Sequence, residues 1–379
     1  MNRICYFDNA ATTRVDESIC GIVNKYNSES FFNPSANYIQ SVNVHNDVTA
    51  AREGLLGRLQ AFGYKLIFLS SGTEGDNMAL FGSKKRKNAN IVISDAEHPA
   101  VYNAAMQLKM MGYEVRLCPV NERGIVCADD LARTVDQNTA LVSIMHVNNE
   151  TGGLNDIQTL VNMAKSINPA VIFHSDGVQA FGKVPVNLQA LGVDLYTISG
   201  HKIGAPKGIA ALLIKNGVTV SPLLYGGGQE GGSRSSTENV SGIMAFAKCA
   251  ERAVNELADN AEKYRNFRAV LMEGLKNIDG VKILSSSDDS PHIFTVAFSD
   301  VRGEVLQHSL EAEGFLVGTG SACSARRAHD RIPKALGLGN YADGIIRVSF
   351  GRENSLDEVK ALACKITEHH EILKKYVGK

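Results

Sequence analysis

Hydrophobic and polar positions alternate between two patterns over the first part of the chain. Short apolar runs typical of buried strands are separated by segments in which apolar residues recur with helical spacing. The predicted strands are Lys65–Leu69, Ile91–Ser94, Val115–Cys118, Ala140–Met145, Val171–His174, Asp194–Ser199 and Ile209–Ile214. The predicted helices between them include Pro99–Met111, Asp129–Val135 and Ile157–Ser166. This alternation predicts an α/β fold with helices on both faces of a mostly parallel, doubly wound sheet.

The pattern changes in the last part of the chain. A helical stretch runs from Ile243 to about Ile278 and is predicted to break near Asn260. The elements predicted after it are Val281–Leu284, Ile293–Phe298, Glu304–Glu313, Ile345–Phe350 and Asp357–Tyr376. Their order is typical of an α+β unit, so a domain change is expected near Glu256. We predict a large domain over residues 15–255 and a smaller one over residues 256–379.

Composition excludes several classes of protein. The chain has 379 residues, of which 44% are hydrophobic, so it can bury a large core. Its 39 basic and 40 acidic residues give a net charge of −1, which indicates neither a nucleic-acid-binding nor a membrane-binding protein. No stretch approaches the roughly 18 apolar residues of a membrane-spanning helix. A soluble, cytoplasmic protein is expected.

The candidate chemistry begins with a lysine that follows a strand. Lys202 ends the run Ser-Gly-His-Lys after the predicted strand Asp194–Ser199, and Asp176 lies upstream. Pyridoxal phosphate needs an amine to hold its aldehyde as a Schiff base and a carboxylate to keep its ring nitrogen protonated. Taken singly, such a lysine is usually a solvated surface residue and such an aspartate is usually a loop cap. Together they are the candidate cofactor pair.

A turn of small residues provides a candidate phosphate site. Ser70-Ser71-Gly72-Thr73-Glu74 follows an apolar strand and precedes a segment of helical character. Free backbone N–H groups and the helix dipole at such a turn bind phosphate, and the Thr73 hydroxyl would add a donor. A glycine-containing turn is weak evidence alone, but it supplies what the proposed cofactor requires.

Seven cysteines are dispersed along the chain without a Cys-x-x-Cys pair. This arrangement fits a reducing compartment and argues against a disulfide framework or a metal site. Most of them are expected to be small core residues. Cys323 differs because glycine, serine and alanine surround it and Arg326 and Arg327 follow. Nearby cations favour the thiolate form over the thiol, and the ordinary pKa of a cysteine thiol is about 8.5.

Eight short motifs, in order from near Tyr6 to about Arg352, resemble those of the cysteine desulfurases. They are Asp8-Asn9-Ala10-Ala11-Thr12-Thr13, Asn33-Pro34-Ser35, Glu97-His98, His146-Val147-Asn148-Asn149-Glu150-Thr151-Gly152, Ser199-Gly200-His201-Lys202, Gly226-Gly227-Gly228-Gln229-Glu230, Ser236-Thr237-Glu238-Asn239 and Gly320-Ser321-Ala322-Cys323. Cysteine desulfurases are class V members of the fold type I pyridoxal phosphate enzymes. The resemblance implies that residues 1–14 fold back onto the small domain.

The resemblance also implies roles around the cofactor ring. Lys202 would be the Schiff-base lysine and would move the α proton of the substrate. Asp176 would pair with the ring nitrogen, while Gln179 and Asn149 would hold the phenolic oxygen and orient the substrate. His98 would stack on the ring; its alternative interpretation is a helix-start or surface residue.

A second group of residues is implied for the phosphate. Thr73, Ser199 and His201 would bind it, and Gly72 would allow close approach of the backbone. Thr237 would come from the neighbouring subunit, so the resemblance implies a homodimer with composite sites. The alternative for Thr237 is a helix N-cap, since Ser236-Thr237-Glu238-Asn239 precedes a helix.

The substrate implied is L-cysteine. Arg347 interrupts an apolar strand, and by resemblance it would bind the substrate carboxylate; an internal ion pair with Asp or Glu is the alternative. Lys202 would take the α proton, and the Cys323 thiolate would attack the substrate sulfur. The products are alanine and a persulfide on Cys323, which passes its sulfur to an acceptor.

Departures from the family pattern occur at Tyr38, at Ser236 and after Cys323. The last leaves the acceptor open between an iron–sulfur scaffold protein and a tRNA-thiolating enzyme. Arg326, Arg327 and Arg331 are predicted to form an exposed cationic cluster that draws in an acidic acceptor.

Two other functions stay open. A selenocysteine lyase or another class V aminotransferase would share the cofactor site without needing Cys323 for sulfur transfer. A non-enzymatic scaffold subunit is the second, and the presence of both Lys202 and Cys323 argues against it.

Overall fold

The computed structural model describes residues 4–83, 88–319 and 331–376. In these residues the strands are β1 (Cys5–Phe7), β2 (Tyr64–Leu69), β3 (Asn90–Ser94), β4 (Glu114–Cys118), β5 (Thr139–Ser143), β6 (Ile172–Asp176), β7 (Leu195–Ser199), β8 (Ala210–Lys215), β9 (Val281–Ile283), β10 (Ile293–Phe298), β11 (Phe315–Thr319) and β12 (Ile345–Ser349). The helices are α1 (Glu17–Asn24), α2 (Ile39–Arg58), α3 (Gly72–Gly82), α4 (Pro99–Met110), α5 (Ala128–Thr134), α6 (Ile157–Ile167), α7 (Leu188–Leu191), α8 (Val240–Asn255), α9 (Leu257–Leu275), α10 (Gly303–Ala312), α11 (Arg331–Ala335) and α12 (Leu356–Lys374).

The large sheet has the strand order β2-β8-β7-β6-β5-β3-β4. The pairs from β7 to β4 are all parallel, whereas β8 is antiparallel to both β7 and β2. β8 runs backwards because only a short connection, which includes the 3₁₀ turn Gly200–Lys202, separates it from β7. β2 therefore runs in the same direction as β7, and the carboxyl ends of β2, β3, β5, β6 and β7 share one edge.

Apolar side chains cover both faces of this sheet. On one face, Leu55 of α2 and Phe246 of α8 belong to a buried cluster that includes Phe173 of β6. On the other face, Leu80 of α3 and Leu108 of α4 belong to a buried cluster that includes Ile91 of β3. The prediction of a mostly parallel, doubly wound sheet is confirmed.

A second sheet has the order β1-β11-β12-β10-β9. β1 is parallel to β11, and the other pairs are antiparallel. Its apolar side packs against α9, α10 and α12 through fully buried side chains that include Leu271, Leu306 and Leu362. The predicted α+β unit is present, and β1 joins it from the other end of the chain; the domain limits stay a prediction.

Several elements differ from the sequence prediction. The long helical stretch breaks at Glu256, between α8 and α9, and the prediction of a break near Asn260 is wrong. The Asn260 N–H donates to the Glu256 carbonyl as part of the new helix. β1, β11, α1 and α2 were not predicted. In the described residues no helix has the length and apolar character needed to cross a membrane.

Candidate active site

The shared edge of the large sheet gathers the predicted site residues. Asp176 is the last residue of β6, Ser199 is the last residue of β7, and His98 follows β3 at the start of α4. One side-chain ligand atom from each of Asp76, His98 and Asp176 lies within 4.8 Å of the other two. Residues that are distant in sequence therefore converge because parallel strands end at the same edge.

Two buried carboxyl groups lie together at this edge. Asp176 is 7% exposed and accepts a hydrogen bond from the Val178 N–H at 2.9 Å. Burial raises the pKa of Asp176 to about 6, although the Val178 N–H and Lys202 oppose the rise. Burial, and then the charge of Asp176, raise the pKa of Asp76 well above its ordinary value. Burial therefore favours retention of a proton by this pair of carboxyl groups.

The Lys202 amine faces the loop that follows β1. Its Nζ donates hydrogen bonds to the carbonyls of Ala10 at 2.5 Å and Ala11 at 2.8 Å. The same loop holds the backbone next to the lysine, since the Thr13 hydroxyl donates to the His201 carbonyl at 2.8 Å. Burial, and then the charge of Arg347, lower the pKa of Lys202 to about 8. The amine is thus partly neutral near physiological pH, as a nucleophile requires.

The predicted phosphate seat is a closely packed turn. Ser71 caps α3 by accepting a hydrogen bond from the Glu74 N–H at 3.1 Å. A Cβ on Gly72 would lie 2.9 Å from a Val178 methyl carbon and 3.7 Å from the Ser199 Cβ, so the backbone needs a glycine there. The helix start that carries Thr73 is therefore packed against the ends of β6 and β7. Thr73 itself is exposed.

The histidines of the predicted site are both held at low pKa. His98 is the N-cap of α4, and its Nδ1 accepts a hydrogen bond from the Ala100 N–H at 3.1 Å. Burial first, then Lys202 and Arg331, lower its pKa to about 4. Burial also lowers the pKa of His201 to about 4, and its Nδ1 lies 3.1 Å from the Thr12 hydroxyl. Neutral His98 thus keeps its other ring nitrogen as a donor; the helix-start interpretation is also correct.

The predicted partners of the cofactor's phenolic oxygen bond to other groups of the protein. The Gln179 side-chain N–H donates to the Ala10 carbonyl at 2.9 Å, and its oxygen lies 3.3 Å from the His292 ring. The Asn149 amide donates to the Glu150 carboxylate at 2.7 Å. Gln179 is buried and thus lies beneath the loop that holds Lys202.

Arg347 makes an internal ion pair. Its Nη2 donates to the Asp8 carboxylate at 2.9 Å, and its Nη1 donates to the Asn149 carbonyl at 2.9 Å and lies 3.5 Å from the Glu150 carboxylate. Its Nε is buried without a hydrogen-bond partner in the described residues. The ion-pair alternative is therefore realised, and a donor is left for a further acceptor.

Helix α8 is capped by Asn239 and not by Thr237. The Asn239 side chain accepts a hydrogen bond from the Gly242 N–H at 3.1 Å, whereas Thr237 is exposed two residues earlier. The capping alternative for Thr237 is thus wrong, and its hydroxyl has no capping task.

Cys323, Arg326 and Arg327 lie outside the described residues. The chain before them leaves β11 beside Arg347, because a Cβ on Gly318 would be 3.0 Å from the Arg347 Nη2. The chain after them begins at Arg331, which was predicted to be a free surface cation. That prediction is wrong: its guanidinium donates to two backbone carbonyls and lies 4.0 Å from the Tyr102 ring centre.

Comparison with known proteins identifies the family. The class-V aminotransferase family model matches residues 5–362. The chain belongs to the class-V aminotransferases. Within this family it is similar to proteins named cysteine desulfurase IscS. The one from Clostridium botulinum is 35% identical over 95% of this chain and 92% of its own length. The one from Dictyoglomus turgidum is 37% identical over 86% and 83% of the two chains.

Solved structures agree with this placement. A NifS-like protein is 34% identical, with a TM-score of 0.89 over 98% of this chain and all of its own. The NifS-like protein from Rickettsia africae is 29% identical, with a TM-score of 0.85 over 97% of this chain and 100% of its own. This class-V aminotransferase is thus a NifS/IscS-like member of the family, with the large mostly parallel sheet of fold type I.

Class-V aminotransferases imply a pyridoxal phosphate cofactor, and the residues at the sheet edge fit one. The buried Asp176 carboxyl has a raised pKa, and the positive charge of a protonated ring nitrogen beside it would stabilise its ionised form. Gly72 gives the close backbone approach that a phosphate at a helix start requires. Lys202 supplies an amine of lowered pKa. The donor set therefore suits this cofactor chemically.

Sequence reasoning missed two acidic residues of this site. Asp76 follows the predicted phosphate turn but carries no local signal of burial, because its neighbours are small and polar. Asp8 belongs to a motif that carried the family resemblance. Its ion pair with Arg347 joins residues at opposite ends of the chain, so the neighbouring sequence could not predict it. Both contacts depend on tertiary structure.

Proposed function

We propose that this class-V aminotransferase is a pyridoxal-phosphate-dependent cysteine desulfurase that converts L-cysteine to L-alanine and passes the sulfur to an acceptor. The observation that carries the proposal is the convergence of Lys202, Asp176 and His98 at one sheet edge. The names of relatives matching nearly the whole chain, and the Gly320-Ser321-Ala322-Cys323 motif, support sulfur as the group transferred.

Each cofactor contact follows from the chemistry of the residue. Lys202 would hold the aldehyde, Asp176 the ring nitrogen and neutral His98 one face of the ring. Gly72, Thr73, Ser199 and His201 would surround the phosphate; Gln179 and Asn149 would approach the phenolic oxygen. When bound, pyridoxal phosphate supplies the electron-accepting ring that stabilises a carbanion at the substrate α carbon.

The protein's own residues would then carry out the transfer. Arg347 would bind the substrate carboxylate through its donors, and Lys202 would remove the α proton. The Cys323 thiolate would form an S–S bond with the substrate sulfur as the substrate C–S bond breaks. Cys323 would then carry the transferred sulfur as a persulfide, and the carbon skeleton would leave as alanine after protonation. No outside oxidant is needed.

Alanine production from L-cysteine tests this function directly. We expect alanine from the wild type, a loss of several orders of magnitude in Cys323→Ser, and wild-type production in Cys364→Ser, a control at an exposed cysteine. L-Selenocysteine separates the alternative function. If Cys323→Ser still releases alanine from it at the wild-type rate while L-cysteine is inert in the wild type, the protein is a selenocysteine lyase.

We further propose that the protein acts as a homodimer in which Thr237 completes the partner's phosphate site. Thr237 is exposed and free of a capping role, and Tyr225 on the preceding loop is 81% exposed. The seven cysteines of the sequence are dispersed without a Cys-x-x-Cys pair, which supports a reducing compartment such as the cytoplasm. The acceptor is proposed to be an iron–sulfur scaffold protein or a tRNA-thiolating enzyme.

Mixed dimers test the composite site. Lys202→Ala and Thr237→Ala homodimers should each lose activity. In a mixed dimer one site would carry both defects and the other neither, so activity should return when the subunits are exchanged. If Thr237 served its own subunit, each site would keep one defect and no activity would return.

A further inference from the structure

Arg331 bonds to the turn that carries His98. Its Nη1 donates to the Asp95 carbonyl at 2.7 Å, and its Nη2 donates to the Glu97 carbonyl at 2.5 Å. The guanidinium also lies over the Tyr102 ring in the first turns of α4, 4.0 Å from its centre. One planar cation therefore bonds two carbonyls of the turn and stacks on the helix that the turn begins.

Ala96, the residue between those two carbonyls, packs among apolar side chains. Ala96 is 1% exposed and belongs to an apolar cluster with Leu336, Leu338 and Ile345. Ile332, the residue after Arg331, packs against the same cluster. The turn thus receives polar contacts from Arg331 and apolar contacts from a cluster to which the chain beyond residue 330 contributes, together with Leu284 and Ala297.

These contacts determine where the His98 ring can lie. His98 caps α4 through its own Nδ1, so the ring follows the backbone of the turn. Arg331 makes no hydrogen bond to His98, and its influence on the ring passes through the carbonyls of the residues before it. Its positive charge also helps, after burial and Lys202, to lower the pKa of His98.

We infer that Arg331 is a positioning residue that joins the His98 turn to the chain immediately following the segment that contains Cys323. This inference rests on the proposed function, in which His98 stacks on the cofactor ring and Cys323 receives sulfur. The clamp joins Arg331 to the turn that carries the cofactor-stacking histidine. The lysine ammonium lacks the planar fork that bonds two carbonyls while stacking on an aromatic ring.

The test compares Arg331→Gln and Arg331→Lys with the wild-type holoenzyme. Arg302→Gln is the matched control, because Arg302 is exposed and its ion pair is with the neighbouring Glu304 at 3.3 Å. We expect kcat for alanine formation to fall by about 100-fold in Arg331→Gln with KM changed less than about threefold, since misplacement of a reacting group by about 1 Å has effects of that size. Arg331→Lys should recover part of kcat, and Arg302→Gln should match the wild type.

Hydrogen exchange supplies a readout that does not depend on the reaction. Amides of residues 95–102 should exchange faster in Arg331→Gln, while those of the distant strand β10 should be unchanged. Wild-type kcat and exchange in this variant would overturn the inference, as would faster exchange throughout the protein. If Arg331→Gln does not fold with its cofactor, Arg331→Lys decides by the same two measurements. Failure of the wild type to form alanine would refute the proposed function, while the exchange comparison would still test the clamp.

Discussion

Glu97 is expected to carry a proton at neutral pH. It is fully buried, and its Oε1 accepts hydrogen bonds from the Ser94 hydroxyl at 2.6 Å and the Met145 N–H at 2.8 Å. Its Oε2 has no hydrogen-bond partner in the described residues. Burial raises the pKa of Glu97 to about 8, and Asp176 contributes in the same direction. Glu97→Gln should therefore mimic the form of the side chain present at pH 6.

The pKa gives the size and sign of the effect on stability. Glu97 has a pKa of about 8 when folded, against an ordinary value of 4.5. Between these values the folded state binds more protons than the unfolded state, so stability falls as pH rises. The proton contributes about 3 kcal/mol at pH 6 and less than about 1 kcal/mol at pH 8. Relative to the wild type, Glu97→Gln should gain about 2 kcal/mol between these pH values.

Urea unfolding of the two holoproteins at pH 6, 7 and 8 measures this difference. Any pH dependence of other groups is shared and cancels in the comparison. Glu53→Gln makes the same change of residue type at an exposed position of α2, and its stability should follow that of the wild type at every pH. A difference between wild type and Glu97→Gln that stayed constant from pH 6 to 8 would refute a raised pKa at Glu97.

Three further predictions concern the site and its acceptor. Asp176→Asn should abolish activity, because an amide cannot pair with a protonated ring nitrogen as a carboxylate does. Asp76→Asn should keep activity within about tenfold, because burial raises the pKa of Asp76 well above its ordinary value and an amide resembles a protonated carboxyl. Steady-state alanine formation checks this, and equal losses would contradict it. The rate of covalent cofactor loading onto the stripped protein should rise with pH with a midpoint near pH 8, where the Lys202 amine is half neutral. Borohydride should fix no label in Lys202→Ala, and label on Lys207 or Lys215 in the wild type would argue against this lysine. The double variant Arg326→Glu with Arg327→Glu should slow sulfur transfer to a protein acceptor, and the effect should be largest at low salt. Alanine formation with a small neutral thiol as acceptor should change much less. Equal loss with both acceptors would assign these arginines to folding or catalysis.

Local pattern predicted the large sheet because most of its buried strands contain a run of apolar residues. Asp194–Ser199 was predicted as a strand and Leu195–Ser199 is one, and all of its residues are buried. Helix α2 lacks such a signal. Its buried positions include Ser41 and Ala51, so helical spacing is present without a clear apolar face. Strand β1 has three residues and forms only because β11 pairs with it.

The candidate site was predictable as far as it follows from strand ends. His98, Asp176 and Lys202 were predicted to surround one cofactor, and the first two have side-chain atoms within 4.8 Å of each other. The contacts that sequence could not predict involve partners far along the chain. Arg331 looked like one of three surface cations, yet it bonds to carbonyls more than 230 positions away. A charged residue in a polar stretch gives no local sign of such a partner.

The pairing of β1 with β11 determines the order in which a newly made chain can finish its structure. Cys5 lies opposite Phe315. β1 therefore cannot pair with β11 until β11, which lies near the end of the chain, has left the ribosome. The strands of the large sheet all emerge earlier and can pair among themselves. Lys202, however, bonds to Ala10 and Ala11, which follow β1 directly. A nascent chain halted before Phe315 would therefore contain the large sheet and Lys202, while the loop that bonds to Lys202 would lack the β1–β11 pairing that joins it to the second sheet.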